Sequence, residues 1–319
     1  AVPNVENLLL LLPSDGGYSW VTGPAGAQTG MVGWGEVARA EFAGPERFSR
    51  AGRWWSSWCE SLDDAAPIAF SSFAFASSEE RSVVVVPQFV VKGTAQSTTL
   101  TVVAPAEEVE DLLIATARNL SNLASTPQGF HHITWHEGSV SVEQWQASVD
   151  EAVARINRGE LDKVVLARDI IAQSDGPIHL GSLLVRLNDA FPECWTFSVD
   201  GLLGATPELL VRRQADNVTS RVLAGTVRRS SNSDRDGQLA AALLGSDKDQ
   251  EEHAYAVESV ASALAKHCTD LDVPTQPFVL QLANVQHLAT DVTGQLAHRT
   301  TALALAAALH PTAAVCGTP

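Results

Sequence analysis

From residue 140 to the end of this 319-residue chain, segments with helical spacing alternate with short β-branched runs, several separated only by hairpin-sized gaps. Strands that close together pair antiparallel, because a parallel pair needs a longer crossover. The order therefore predicts an α+β fold, with extended antiparallel sheets flanked by helices, rather than a βαβ series. Ser141-Val142-Glu143 opens a helix that runs to Asn157, with Trp145, Val149, Val153 and Ile156 on one side and Gly159 as its cap. A strand over 163–172 follows, then a helix near 178–190 after Pro177 and strands at 194–200, 208–213 and 218–224. Helices are expected at 235–244 and 247–266, a strand at 277–284, and a last helix at 300–309 that Pro311 stops.

Residues 1–105 read mostly as strands, including Val32–Gly35, 66–77 and 81–92, where Pro87 marks an edge or a bulge. Residues 106–125 have helical spacing and an acidic first turn. With no repeat, linker or low-complexity run, 1–319 reads as one domain.

A net charge of −16 argues against nucleic acid and anionic membranes, which need clustered Lys and Arg. A hydrophobic content of 45% is that of a folded protein, and no apolar run is long enough to span a bilayer. Cys59, Cys194, Cys268 and Cys316 show no C-x-x-C spacing, so they read as buried, inert thiols in a reducing cytoplasm rather than a zinc site or a disulfide framework.

Five constellations carry chemistry. Lys163, in D-K-V-V-L-A-R, is either a snorkelling surface lysine or a desolvated amine able to act as a base. Glu208, in A-T-P-E-L-L, enters an apolar strand, where burial would keep it protonated; pairing with Arg212 or Arg228 is the plainer alternative. In S-D-K-D-Q-E-E-H, helix capping explains acidity in general. It does not explain Asp249 and Glu252 sharing one face at i, i+3, a spacing that suits a hard cation. Gly225 and Thr226 end an apolar strand, either as an ordinary turn or as backbone able to approach a carboxylate. His287, in V-Q-H-L, stands alone and is equally a core histidine.

Taken together and in this order, with H-P-T-A-A-V-C-G-T-P at 310–319, these motifs resemble the chorismate-utilising enzymes. That family includes isochorismate, salicylate, anthranilate and aminodeoxychorismate synthases. The resemblance is clear over 140–319 and general before that. It implies the family's large chorismate-binding fold. It implies that Lys163 is the base that activates water for attack at C2 of chorismate, and that Glu208 is the acid for the departing C4 hydroxyl. Glu252, with Asp249 beside it, would bind Mg²⁺. Gly225 and Thr226 would line the substrate pocket and His287 would lie near the ring. Ala314, where anthranilate and salicylate synthases commonly carry threonine, points to isochorismate synthase, with salicylate synthase or a non-catalytic chorismate-binding homologue as alternatives. A water nucleophile needs no amidotransferase subunit, so a monomer is expected, its product feeding menaquinone or siderophore synthesis. Family members continue past this point with further metal and substrate ligands, so the resemblance also implies that the chain is truncated at its C-terminus.

Overall fold

The four valines at 83–86 and the proline after them decide the middle of the first half of the chain. In the computed structural model, which describes residues 5–14, 16–62, 67–77, 80–94, 96–123, 129 and 131–317, all five residues of Ser82–Val86 are buried. The chain forms two compact units, one of residues 1–129, 179–209 and 300–307, the other of 130–178, 210–299 and 308–319.

The first unit begins with a 3₁₀ turn over Leu8–Leu11, followed by strands β1 (Tyr18–Thr22), β2 (Thr29–Trp34) and β3 (Ala38–Phe42) and helix α1 (Arg47–Glu60). Strands β4 (Phe70–Ser72), β5 (Ser82–Val86), β6 (Phe89–Gly93) and β7 (Thr98–Val102) lead to helix α2 (Ala106–Leu123). Helix α4 (Leu180–Ala190) and the hairpin of β10 (Trp195–Val199) and β11 (Leu202–Thr206) complete it. One antiparallel sheet runs β11-β10-β1-β2-β6-β7 and a second runs β3-β5-β4. Alternation along the strands gives the large sheet two apolar faces. Val21, Val32 and Val91 pack with Leu8, Leu9, Leu12, Leu120 and Leu184, while Val90 and Val199 meet Phe70, Val83 and Val85 of the small sheet. The opposite face of the small sheet, through Val84, packs with Phe42 and with Ala51 of α1.

Three readings of this region need correction. Pro87 marks neither an edge nor a bulge: it divides the run into β5 and β6, each interior to a different sheet, because a residue without an N–H breaks the ladder there. Helix α1 lies inside the stretch read as strands. The segment 66–77 forms only the three-residue β4, with Phe70 alone of the three buried, and residue 66 lies outside the described residues. Between the strands expected at 194–200 and 208–213 lies one more. The reversal is confined to Asp200 and Gly201, both at positive φ (52° and 83°), and β11 then pairs with β10 from Val199↔Leu202 to Trp195↔Thr206.

The second unit is built on β13 (Asn217–Arg228) and β16 (Val285–Leu296), paired from Asn217↔Gln295 to Arg228↔Val285. Opposite partners Arg221 and Asp291 make a two-pronged ion pair, both contacts at 2.7 Å. Strands β12 (Leu209–Gln214), β14 (Cys268–Asp272) and β15 (Phe278–Gln281) extend this sheet. Helix α5 (Ser233–Leu244) is fastened by Asp236, which accepts from the Ser230 N–H, Arg229 Nε and Gln286 Nε2. Helix α6 (Asp247–Leu264) buries His253, Ala256, Val257, Val260 and Leu264, a helical stripe. Strands β14 and β16 carry no local signal that marks them in the sequence.

The remaining part is α3 (Val142–Asn157) and the two-stranded sheet of β8 (Ile133–Glu137) and β9 (Ile170–Ser174). Ser141 and Gln144 form a capping box at the start of α3, where the helix was expected. Its apolar side is only half covered: Trp145 and Val149 are half-buried, but Val153 is 51% exposed. The strand expected over 163–172 begins only at Ile170, since no strand among the described residues pairs with Val164–Asp169. Helix α7 (Ala302–Leu309) stops before His310-Pro311 as expected. All four cysteines are free, but only Cys194 and Cys268 are buried, which corrects the reading of four buried thiols. No helix among the described residues is long and apolar enough to cross a membrane.

Candidate active site

The N-terminus of α6 supplies the acidic side chains. Ser246 Oγ accepts from the Asp249 N–H at 3.3 Å, capping the helix. Asp249 and Glu252 then leave the same side of the first turns. Across from them, the β13–β16 ladder slips by one residue, from Ala224↔Leu288 to Thr226↔His287, leaving Gly225 as the extra residue of a bulge. Gly225 has φ 79°, and a Cβ there would lie 3.2 Å from Asp249 Cβ and 3.3 Å from Leu288 Cδ1. Only glycine meets both demands cheaply. Beside it, Thr226 Oγ1 and His287 Nδ1 are hydrogen-bonded at 2.8 Å. Burial pushes the pKa of the His287 ring down, opposed by a hydrogen bond to the Gly225 backbone.

Lys163 comes from the segment between α3 and β9. Its Nζ donates to the Ala313 carbonyl at 2.8 Å and lies 3.7 Å from Glu252 Oε1. The 313–317 backbone lies against this segment, since a Cβ on Gly317 would come within 2.7 Å of the Lys163 carbonyl. A cavity of about 730 Å³ is lined by Lys163, Val165, Lys248, Glu251, Glu252 and Tyr255. Lysine and glutamate thus face one space large enough for a small carboxylated ring.

Lys163, Asp249, Glu252, Gly225, Thr226, His287 and Ala314 all belong to the second unit. Glu208 belongs to the first. Its N–H donates to Thr206 Oγ1 at 3.2 Å, and burial raises its carboxyl pKa, the direction expected from its apolar surroundings. A carboxyl raised in this way favours folding while protonated, and that contribution is lost as pH rises through its folded value.

Glu252 and Asp249 offer carboxylate oxygens, the donors a hard divalent cation prefers, and the neighbouring His253 is already engaged by Ala224 and Thr290. No group of three or more His, Cys, Asp or Glu suited to a metal occurs among the described residues. Two carboxylates would leave the rest of a hard cation's shell to water or substrate oxygen. Sequence reasoning missed two contributors. Lys248 stands one helical turn before Glu252, a spacing that could have flagged it. The other is the Ala313 carbonyl, which accepts from Lys163 Nζ, and a backbone contact leaves no mark in residue identity.

A family model described as chorismate binding enzyme matches residues 20–319. The isochorismate synthase DhbC of Bacillus subtilis (strain 168) is 41% identical over 189 residues, covering 56% of this chain and 48% of that protein. The isochorismate synthase EntC of Escherichia coli (strain K12) is 37% identical over 180 residues, covering 55% and 46%. The chain thus matches about half the length of these relatives. Among solved structures, the menaquinone-specific isochorismate synthase MenF of Escherichia coli superposes with a TM-score of 0.77 at 25% identity, over 99% of this chain and 73% of that one.

Proposed function

Because the chain belongs to the chorismate-binding enzymes, we propose that it is an isochorismate synthase, isomerising chorismate to isochorismate with Mg²⁺. The observation that carries this reading is Lys163 Nζ, 2.8 Å from the Ala313 carbonyl and 3.7 Å from Glu252. That one amine joins the lysine segment to the acidic helix and to the 310–317 tail, at the edge of the cavity the first two line. The names of the relatives matched above supply the reaction.

In this reading Lys163 takes a proton from water as its oxygen bonds to C2 of chorismate. The two ring double bonds shift, the C4–O bond breaks, and Glu208, whose carboxyl pKa burial raises, would give its proton to the leaving hydroxyl. One water enters and one leaves, so the product is an isomer. The resemblance would put Gly225, Thr226 and His287 around the ring, with Ala314 offering no hydroxyl there. Glu252, with Asp249 beside it, would hold Mg²⁺, which supplies charge for the ring carboxylate. Water as nucleophile calls for no amidotransferase subunit, and the enzyme acts as a monomer in the cytoplasm, feeding menaquinone or siderophore synthesis.

The test is incubation with chorismate and Mg²⁺, chromatography of the products, and a parallel pyruvate assay. Isochorismate without pyruvate is expected. Salicylate with pyruvate would make it a salicylate synthase, and chorismate binding without turnover a non-catalytic homologue.

A further inference from the structure

His253 follows Glu252 directly, yet its side chain points the other way, into the sheet, where it is 2% exposed. Both ring nitrogens are engaged: Nδ1 lies 3.2 Å from the Ala224 carbonyl and Nε2 lies 2.8 Å from Thr290 Oγ1. A carbonyl oxygen can only accept, so Nδ1 carries the proton. On a neutral ring Nε2 then accepts from the Thr290 hydroxyl. Burial disfavours the charged ring, in keeping with a neutral imidazole.

The two partners are not arbitrary points on the sheet. Ala224 is the residue immediately before the Gly225 bulge, and Thr290 lies on β16 two residues past the bulge partner Leu288. One side chain of α6 therefore ties the helix to both central strands where their register slips. The apolar stripe of α6 presses the helix onto the sheet, but apolar contact is non-directional and leaves sliding and rotation weakly specified. A buried, paired imidazole has a fixed direction, and breaking it leaves a polar group unsatisfied. A Cβ placed on Gly225 would lie 3.2 Å from Asp249 Cβ, so α6 runs close over the bulge and a small rotation of it would move both carboxylates.

Resting on the function proposed above, we infer that His253 is a positioning residue. Through its Ala224 contact it holds the Asp249 and Glu252 side of α6 in register with the Gly225 bulge, and so sets the carboxylates that take Mg²⁺. Groups that orient the ligands of a metal in this way commonly matter nearly as much as the ligands themselves.

Two isosteres separate its two contacts. The amide nitrogen of His253→Asn can sit where Nδ1 sits, one bond from Cγ, and keeps the donor to Ala224. His253→Gln carries its amide one carbon further, keeping the Thr290 side and losing Ala224. Mg²⁺ affinity is measured by titration calorimetry without chorismate, kcat and KM for chorismate at saturating Mg²⁺, and folding by circular dichroism. His253→Gln is expected to weaken Mg²⁺ binding about tenfold or more, with kcat falling and KM moving less than the metal affinity. His253→Asn should restore most of the affinity, and Thr290→Val, which leaves the Ala224 contact intact, should keep it. A folded His253→Gln with wild-type Mg²⁺ affinity overturns the inference. So does a folded His253→Asn or Thr290→Val with little Mg²⁺ affinity left, whether or not His253→Gln folds. Wild-type protein that neither binds Mg²⁺ nor converts chorismate would bring down the functional reading and this inference together. Wild-type protein that does both, with unchanged variants, brings down this inference alone.

Discussion

The two parts of the second unit hold their site residues in opposite ways. Around β13, β16 and α6, Leu288, Ala289, Thr290 and Val292 are buried, the two central strands are each twelve residues long, and His253 is bonded at both nitrogens. Around β8 and β9, only two strands pair, and Trp135 and Ile170 stand 64% and 58% exposed. Two-stranded sheets are marginal by themselves. Asp249, Glu252, Gly225, Thr226 and His287 belong to the first part, and Lys163 to the second. The difference separates two tasks: the part proposed to fix a cation and a ring is packed and directional, while the proposed base arrives on a segment whose local opening costs little.

The largest effect should come from removing the proposed base without disturbing what carries it. Lys163→Met keeps the apolar stem and deletes Nζ. Turnover of chorismate should fall about 10²–10⁴-fold, read from product chromatography. Stability should change by about 1 kcal/mol or less, because what is lost is one part-buried hydrogen bond to the Ala313 carbonyl while the apolar stem is kept. If melting temperature and turnover fell together, Lys163 would be a structural tie between its segment and the Ala313 carbonyl rather than a base.

The next effect contrasts two glycines, one in each part. Gly225 has φ 79° and close neighbours, whereas Gly159 has φ 72° and open space, with nothing within 4 Å of where a Cβ would stand. Alanine at either site bears the cost of a left-handed backbone, about 1–3 kcal/mol. Only at Gly225 must Asp249 or Leu288 also give way. Urea unfolding should therefore show Gly225→Ala as the more destabilised variant, with Mg²⁺ affinity reduced only there. Equal losses would mean that the bulge has room to spare and that its contact with Asp249 constrains nothing.

Much of this arrangement is legible in the sequence where the signal is local. Ser141, Gln144 and Gly159 bound α3, and Ser246 with Asp249 opens α6. The apolar setting of Glu208 announces its burial. The ordered motifs announce the family. What escaped depends on partners far along the chain. Strand β16 carries Gln286, His287, Asp291 and Gly294 among its apolar residues, and they fit a strand only because β13 supplies Arg221 opposite Asp291 and Thr226 opposite His287. Helix α1 crowds Trp54, Trp55 and Trp58 around serines and Gly52, a composition of middling helix propensity that tertiary packing overrides. Conversely, the apolar run after Lys163 has every local mark of a strand, and no neighbour among the described residues pairs with Val164–Asp169. Local preference fixes what a segment can be; a ladder decides what it is.

The smallest effect tests whether the open part is open in solution. Ile170 on β9 is 58% exposed, so Ile170→Thr removes little buried apolar surface and keeps a β-branched residue in the strand. The expected cost is within about 0.5 kcal/mol by urea unfolding, as for ordinary surface sites. Amide exchange of β8 and β9 should be correspondingly fast beside that of β13 and β16, because a two-stranded sheet can open without unfolding the unit. Suppose instead that Ile170→Thr cost more than about 1 kcal/mol, as removal of apolar groups from a core does, and that β9 amides exchanged slowly. Something would then cover β9 in solution, and Lys163, a few residues before it, would sit on as firm a base as Glu252. The contrast between the two parts would be gone, and with it the reason to expect that Lys163→Met costs little stability.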